Sequence, residues 1–391
     1  MSTSRRDFLA RSAQLGVLLG AGVPLLQACG SKSGSSGGKV DPIADGLKPE
    51  KGPLKLFNYA DYVNPDVIKA FESKYGVKVE ITTFDSDSEA ITKLANGAVK
   101  VDVHHSASPA TVGRLIEGKL LRKLNKTYIP NFTNVLDAFT SPSYDPGSMF
   151  TVPYTIFSTG IGYRADRIDA ATVEAKGWDL LWDPKYKGQV EIIDDYREGL
   201  ALAMLHKGLN DVKDLNTSDK AVLEQAGKDL ASLVGLVNVK VTIDGYKDIP
   251  EGTVTVAQCW NADMLTATGY LPSGVDASVI GYWYPKDDIG VVNSDCMGVM
   301  ANATNPVLAH LYLDFMLDKA NAELNFQTNY YLPAVKGLDA DYLISKGYVP
   351  ENLRNAVLSA DQQKKGVPFL TLPEATDTLW QDTWSKFTAG G

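Results

Sequence analysis

The order of strand-like and helix-like segments is the feature that most constrains how this chain can fold. From Leu54 the two types alternate. Period-two runs of apolar residues predict strands, and apolar residues at every third or fourth position predict helices. The first segments are a strand at 54–58, a helix at 65–75, a strand at 77–84, a helix at 86–96 and a strand at 99–105. This alternation predicts an α/β chain with a mixed or parallel sheet and helices on both faces.

A second set of segments begins near Gly160. Its members are strands at 160–164, 189–193, 239–243, 254–260 and 290–301, and helices from Gly199, over 218–234 and from Pro306 to about Lys319. With 391 residues the chain is long enough for two domains with separate cores. We therefore expect two α/β lobes of similar size.

The beginning of the chain predicts export. It carries the twin-arginine pattern "SRRDFL", an apolar stretch shorter than the ~20 residues of a membrane span, and "LQAC", which resembles a lipobox. These features predict a twin-arginine signal peptide at 1–28 and a mature chain that begins with lipidated Cys29. Residues 29–53 are then the lipidated cysteine and a flexible tether, which includes "GSKSGSSGG". The predicted location is the outer face of the cytoplasmic membrane, on its periplasmic or extracellular side.

The charge balance excludes several classes of partner. The formal net charge is −9, and removal of residues 1–28, which hold three arginines and one aspartate, makes it about −11. A surface this acidic repels the phosphates of nucleic acids and is compatible with cationic ligands. The sequence has no basic cluster and no later apolar span, so we expect neither nucleic-acid binding nor a transmembrane domain.

Two cysteines remain after Cys29. Cys259 and Cys296 both lie in predicted strands, and disulfides persist in oxidising compartments outside the cytoplasm. Pairing is possible there, but the sequence does not imply it. A disulfide and two separate buried side chains both remain open.

Polar and aromatic residues lie at or just beyond the ends of several predicted strands. In open α/β sheets, ligands bind beyond the carboxyl ends of the strands. The residues concerned are Tyr59, Asp61 and Tyr62 after the first strand, Asp195 and Glu198 after the strand at 189–193, and Trp260 at the end of the strand at 254–260; Asp295 lies inside the strand at 290–301. Their joint placement predicts a ligand cleft to which many segments contribute.

The most acidic of these stretches is "IIDDYREGLALAML" at 192–205. Asp195 and Glu198 are three positions apart, which makes them neighbours on one side of a helix. Acids at a helix start are stabilised by the helix dipole, so capping alone competes with catalysis, metal binding and cation binding as the explanation. We expect Asp194 to cap a helix that begins at Gly199, and Asp195 and Glu198 to face the cleft.

Five segments resemble one protein family, in the same order along the chain. They are "FNYADYV" (57–63), "TVPYTIFSTGIGYR" (151–164), "LLWDPKYKGQVEIIDDYRE" (180–198), "AQCWNAD" (257–263) and "NYYLPAV" (329–335). Together they resemble periplasmic spermidine/putrescine-binding proteins, the receptors of polyamine ABC importers. The resemblance implies a type 2 periplasmic-binding-protein fold, in which hinge crossovers join two α/β lobes and the ligand cleft lies between them. On this chain it implies residues 54–157 and 294–337 for lobe 1, and residues 158–293 and 338–391 for lobe 2.

The resemblance also implies roles for the acidic residues. Asp195, Glu198 and Asp295 match acids that hold ammonium groups of the ligand. Asp61 matches an acidic position near the opposite end of the cleft. Cation recognition is therefore the chemistry that the resemblance implies.

Aromatic residues match the walls of the cleft. The matching positions are Trp260, Tyr62 and Tyr330, together with Tyr59, which stands where the family often has tryptophan. Some hydroxyl and aromatic positions of the family pattern are replaced, namely at Ala60, Ala107, Pro109 and Asn293. The identity and the chain length of the amine therefore stay open.

These inferences predict an extracytoplasmic solute-binding lipoprotein of an ABC importer, not an enzyme. It binds a polyamine of the putrescine or spermidine type between two lobes and delivers it to the permease. The expected partners are this cationic amine, the ABC permease with its ATPase, and the membrane through the lipid anchor. We expect a monomer without a cofactor and without a bound metal.

Three other functions stay open. Tyr330 and Tyr331 resemble the tyrosine pair with which related receptors hold ferric iron. The replaced lining residues are compatible with a small amino acid or an opine as ligand. Asp195 and Glu198 could form the carboxylate pair of a secreted hydrolase, because glycosidase carboxylates lie about 5–9 Å apart. No Walker loop, GxGxxG or HExxH motif accompanies these acids.

Overall fold

The computed structural model describes residues 40–60, 62–287 and 289–390. The predicted signal peptide, Cys29, residues 30–39 of the tether and Asp61 lie outside these ranges. What the sequence predicts for these residues therefore stays a prediction.

Strands and helices follow each other along the described residues much as the sequence pattern predicts. The strands are β1 (Leu54–Tyr59), β2 (Val79–Phe84), β3 (Val103–Ala107), β4 (Thr151–Arg164), β5 (Val190–Ile192), β6 (Lys240–Val241), β7 (Val256–Trp260), β8 (Ile280–Trp283), β9 (Val292–Val299) and β10 (Leu332–Pro333). The helices are α1 (Pro65–Tyr75), α2 (Asp87–Ala95), α3 (Pro109–Glu117), α4 (Ala170–Lys176), α5 (Tyr196–His206), α6 (Lys220–Val237), α7 (Gly245–Glu251), α8 (Asn261–Ala267), α9 (Pro306–Met316), α10 (Lys319–Asn329), α11 (Ala340–Ser345), α12 (Ala360–Lys365) and α13 (Glu374–Thr388). None of these helices combines the length and the apolar character that crossing a membrane requires.

Helix α1 begins and ends where its sequence provides caps. The Asn64 side chain accepts a hydrogen bond of 2.8 Å from the Asp66 amide. Pro65 lies in the first helical turn, and Gly76 ends the helix with a φ of 66°. Asparagine, proline and glycine are favoured at these three positions. The predicted helix at 65–75 is confirmed.

The strands form one mixed sheet. Its order is β2-β1-β3-β9-β4-β7-β5-β6, and β8 and β10 also pair with β4. Strand β1 is parallel to β2 and β3, and β5 is parallel to β6 and β7. Strands β4 and β9 are antiparallel to each other, β9 is also antiparallel to β3, and β4 to β7. The predicted α/β chain with a mixed sheet is confirmed.

Strand β4 belongs to both halves of this sheet. Its residues 151–158 pair with β9, whereas residues 159–163 pair with β7. The change of partner falls between Ser158 and Thr159. Side chains on either side of that point therefore lie where the two halves of the sheet meet.

Buried apolar side chains form the core on both halves of the chain. One group includes Phe71 of α1 and Tyr312 of α9, whose ring centroids are 5.3 Å apart. Another group includes Leu200 of α5, Leu230 of α6 and Trp380 of α13. These helices are therefore held to the sheet by burial of apolar surface, at roughly 25 cal/mol for each Å² removed from water.

Helix α5 begins earlier than predicted. It starts at Tyr196, and its N-cap is Asp195, whose Oδ1 accepts hydrogen bonds from the amides of Arg197 and Glu198. The prediction that Asp194 caps a helix beginning at Gly199 was wrong.

Gly199 lies inside this helix and faces a bulky neighbour, which explains why the residue is a glycine. A Cβ atom at this position would lie 2.0 Å from Cζ3 of Trp384 on α13. The missing side chain lets α13 pack directly on α5. The other predicted helices agree with the observed ones to within a few residues.

Cys259 and Cys296 are both buried and free. They lie on β7 and β9, as the sequence pattern predicts. Of the two possibilities that the sequence left open, the structure therefore shows two separate buried side chains.

Candidate functional site

One face of β4 organises the candidate site. Thr155, Phe157 and Thr159 alternate along the strand, so their side chains point to the same face. The register places Thr155 opposite Asp295 of β9 and Thr159 opposite Trp260 of β7. Directly opposed residues of antiparallel strands share a face. Two predicted site residues from different strands are thereby brought to one face of β4.

Glu198 is the acid at the Thr159 end of this face. Only 4% of it is exposed. Its Oε2 accepts a hydrogen bond of 2.8 Å from Thr159 Oγ1, and its Oε1 accepts one of 2.9 Å from Trp260 Nε1. Burial, followed by the nearby charge of Asp195, raises the pKa of Glu198 to about 7, although the two hydrogen bonds oppose this shift.

Asp195 lies beside Glu198 and is half-buried. Both hydrogen bonds that its side chain accepts from described residues, 2.8 Å from the Arg197 amide and 3.0 Å from the Glu198 amide, end on Oδ1. Its Oδ2 accepts none from the described residues. Burial raises the pKa of Asp195, and the two amide bonds oppose that shift. Asp195 thus caps the helix through Oδ1.

Arg197 is a cation whose charge acts on both of these acids. Its guanidinium carbon lies 4.8 Å from the ring centroid of Phe369 and 4.6 Å from that of Trp380. Its N–H groups donate to the carbonyls of Leu215 and Leu370 and to Asn216 Oδ1. The guanidinium is therefore held by rings and neutral acceptors, and its charge lowers the pKa of Asp195 and of Glu198 only as a smaller contribution.

Asp295 is the acid at the Thr155 end of the face. It is 9% exposed, and its Oδ2 accepts a hydrogen bond of 2.6 Å from Tyr62 Oη. The same hydroxyl lies 2.9 Å from Thr155 Oγ1. Burial raises the pKa of Asp295 to about 7; the Tyr62 hydrogen bond opposes this shift, and the charge of Asp87 adds to it.

Tyr59 and Tyr62 form the aromatic side of this end. Their rings are 6.1 Å apart and nearly perpendicular. Tyr59 Oη donates a hydrogen bond of 2.9 Å to Asp87 Oδ1. Asp87 belongs to none of the motifs in the sequence, where it looks like an ordinary acid in the first turn of a helix.

A row of aromatic rings joins the two ends. The Phe157 ring lies 6.5 Å from Trp260 and 6.1 Å from Tyr331, and Tyr331 lies 5.3 Å from Tyr62. All three contacts are edge-on, with interplanar angles of 83° to 90°. Phe157 was missed by the sequence analysis, although its place between Thr155 and Thr159 in a period-two pattern is a signal for it.

Tyr330 and Tyr331 occupy different environments. Tyr330 ends α10 with a φ of 59°, and its ring lies 6.2 Å from Phe326 of the same helix. Tyr331, which the sequence suggests as an iron ligand or as a packing residue beside Pro333, contacts the rings of Tyr62 and Phe157. Tyr331 therefore joins the candidate site, and a role for Tyr330 in ligand binding stays a prediction.

The two buried acids determine what this site can do chemically. With pKa values raised to about 7, Glu198 and Asp295 are partly protonated at neutral pH when the site is empty. A bound cation favours their ionised forms and so displaces protons. The described ranges contain no cluster of three or more His, Cys, Asp or Glu side chains that could hold a metal ion, and burial raises the pKa of Tyr62 well above its usual value, which disfavours a metal-binding phenolate there.

Comparison with known families assigns the chain. A family model described as bacterial extracellular solute-binding protein matches residues 66–348, which is most of the chain. The chain is a bacterial extracellular solute-binding protein. This family membership agrees with a candidate site to which several segments of the chain contribute.

Two relatives are similar to this chain over most of its length. The solute-binding protein is 28% identical to the putrescine/cadaverine-binding protein of Pseudomonas aeruginosa over 275 residues, which are 69% of this chain and 75% of the relative. It is 26% identical to the spermidine/putrescine-binding periplasmic protein of Escherichia coli K12 over 344 residues, covering 87% and 93% of the two chains. Both relatives are named as polyamine-binding proteins.

A solved structure supports the fold. The spermidine/putrescine ABC transporter substrate-binding protein PotD from Streptococcus pneumoniae superposes with a TM-score of 0.72 at 23% identity, covering 86% of this chain and 98% of that one. At this identity the likeness establishes the fold alone. The α/β fold class expected from the sequence, the two-lobed periplasmic-binding-protein fold, is confirmed.

Proposed function

We propose that this solute-binding protein binds a polyamine of the putrescine or spermidine type and delivers it to the permease of an ABC importer. The observation that carries the proposal is the pair of buried acids Glu198 and Asp295 at the two ends of one row of aromatic rings. The names of the relatives in Pseudomonas aeruginosa and Escherichia coli support the same ligand class.

A linear polyamine matches both parts of this arrangement. Its ammonium groups pair with carboxylates, and hydrogen bonds to charged groups contribute about 1.5–3 kcal/mol each. Its methylenes pack against rings, and an ammonium over a ring face gains a further ~0.5–2 kcal/mol. Thr155 and Thr159 are four residues apart on one strand, or about 13 Å. An extended amine therefore fits between the Asp295 end and the Glu198 end.

Lobe closure is the proposed mechanism of capture. We assign residues 54–157 and 294–337 to lobe 1 and residues 158–293 and 338–391 to lobe 2. This assignment is supported by β4, which changes its partner from β9 to β7 between Ser158 and Thr159. A ligand held by acids from both lobes favours the closed state, because only there do both contact it. The closed form is what the permease, with its ATPase, would recognise.

Calorimetry decides the ligand class. The mature protein is titrated at pH 7 with putrescine, spermidine, ferric citrate and glutamate, in two buffers that differ in their heat of ionisation. We expect binding of an amine with release of protons, visible as a buffer-dependent enthalpy, because Glu198 and Asp295 ionise on binding. Binding of ferric iron or of the amino acid, with no heat from either amine, would refute the proposal.

The proposed anchor and export route are tested separately. Cys29→Ala should abolish labelling by a radioactive fatty acid and release the protein from the membrane fraction. Replacement of Arg5 and Arg6 by lysine should leave the precursor in the cytoplasm. Unchanged fractionation of both variants would contradict a twin-arginine lipoprotein.

A further inference from the structure

Asp87 joins three elements at the Asp295 end of the site. Its Oδ1 accepts the hydrogen bond of 2.9 Å from Tyr59 Oη. Its Oδ2 accepts hydrogen bonds from Ser108 Oγ at 2.5 Å and from Thr111 Oγ1 at 2.7 Å. Tyr59 ends β1, Asp87 begins α2, and Ser108 caps α3. One carboxylate therefore ties the end of a strand to the starts of two helices.

Two helix N-termini and three hydroxyl groups surround Asp87. It lies at the N-termini of α2 and α3, each nine residues long, and the positive end of a helix dipole stabilises an anion. Its three hydrogen-bond donors are hydroxyl groups, so no cation among them offsets the charge. The charge remains available to act on neighbouring groups.

That charge reaches the ligand site. Asp87 contributes to raising the pKa of Asp295 and that of Tyr59. Other titratable groups that interact with Asp295 include Tyr59, Tyr62, Tyr154 and Cys296. Each of these has a raised pKa and is neutral in the acid range. His104, between the rings of Phe57 and Phe84, also interacts with Asp87, but burial lowers its pKa to about 4.

We propose that Asp87 is a further recognition residue of this site, which holds Tyr59 beside Tyr62 and adds a second negative charge to the Asp295 end. This inference rests on the proposed function, because it makes that end selective for an ammonium group. Asp87 is a positioning residue: it acts through Tyr59 and through the field at Asp295. The alternative is that Asp87 only links the helices, and the two differ in the pH profile of binding.

Asp87→Asn separates charge from shape. The asparagine Oδ1 can still accept the Tyr59 hydroxyl, and its amide can donate to Ser108 and Thr111, whose hydroxyls are able to accept. Asp66→Asn is the matched control, because Asp66 also lies in the first turn of a helix, α1, and is exposed. Both variants change the net charge of the mature chain by the same amount.

Two measurements follow on the mature wild type and both variants. The affinity for putrescine and spermidine is measured by calorimetry between pH 5 and 8. The titration midpoint of the Asp295 carboxyl is measured by 13C NMR in the ligand-free protein, with Asp295→Asn to assign the signal. We expect Asp87→Asn to bind the amines about three- to tenfold more weakly at pH 8, as loss of a nearby unit charge implies. We also expect its Asp295 midpoint, and the pH below which affinity falls, to move to lower pH.

The possible outcomes separate this inference from the proposed function. If Asp87→Asn binds the amines more weakly but shifts neither the Asp295 titration midpoint nor the pH below which affinity falls, the charge role is overturned and a structural role is left. Behaviour of Asp87→Asn identical to the wild type and to Asp66→Asn would overturn the inference while amine binding stands. Failure of the wild type itself to bind either amine would overturn the proposed function, and the recognition role of Asp87 with it.

Discussion

Glu198→Gln should weaken ligand binding and at the same time stabilise the empty protein. Glutamine keeps an oxygen for the Trp260 Nε1 hydrogen bond, and its amide can donate to Thr159 Oγ1, so both contacts of 2.8–2.9 Å have a replacement. What is lost is a charge. A charged hydrogen bond contributes about 1.5–3 kcal/mol, so amine affinity should fall by roughly 10- to 150-fold, at about 1.4 kcal/mol per factor of ten.

The effect on stability has the opposite sign. The pKa of Glu198 is raised from an ordinary value of 4.5 to about 7 by burial. Between these two pH values the folded chain binds more protons than the unfolded chain, so the wild type loses stability as pH rises through this window. The loss is complete above the folded pKa and is on the order of 3 kcal/mol. The glutamine variant does not have this cost, so it should be more stable than the wild type at pH 8 and similar to it at pH 5.

Urea denaturation at pH 5 and pH 8, with and without putrescine or spermidine, measures both effects. Glu224→Gln is the control, because Glu224 lies on the surface of α6 with an exposed side chain paired to Lys220. The control should change neither stability nor binding by more than a few tenths of a kcal/mol. A Glu198→Gln protein that is less stable than the wild type at pH 8, or that binds the amines as tightly, would refute the reasoning.

Three further outcomes follow from the structure. Amine affinity should fall as the pH drops below about 7, because Glu198 and Asp295 take up protons there; calorimetry showing equal affinity at pH 8 and pH 5.5 would contradict this. Phe157→Leu should weaken amine binding several-fold by breaking the row of rings, while the acids keep their pH dependence; unchanged affinity would remove Phe157 from the site. Gly199→Ala should destabilise the fold by about 1–3 kcal/mol in urea, because its Cβ would collide with Trp384; a neutral effect would show that α13 can shift.

Local sequence patterns were sufficient for much of the fold. Helix α1 could be placed to the residue because Asn64, Pro65 and Gly76 act on the backbone next to them. Helix α5 could not, because its start depends on which of two adjacent aspartates adopts an extended backbone and receives the amides. The helix has a glycine at position 199 because Trp384, which is 185 residues away in sequence, leaves no room for a Cβ atom.

For the candidate site, too, the sequence predicted part and the tertiary structure decided the rest. Glu198, Asp195, Trp260 and Asp295 could be named in advance, since acids and aromatic residues at strand ends and within recognisable motifs mark a ligand site without any knowledge of contacts. Which of them work together was decided only by the tertiary structure. Tyr62 and Asp295 are 233 positions apart and share a hydrogen bond.

The tertiary structure adds three residues to the candidate site. Phe157 and Asp87 look ordinary in the sequence, because a phenylalanine in a strand and a first-turn aspartate occur in most α/β proteins. Tyr331 stands out there only beside Tyr330, as a pair that resembles iron-binding tyrosines. Their positions acquire meaning only through contacts with segments far away in the chain. Residue types alone thus predicted the chemistry of the ligand. The shape and charge of the candidate site depend on long-range packing that no local pattern encodes.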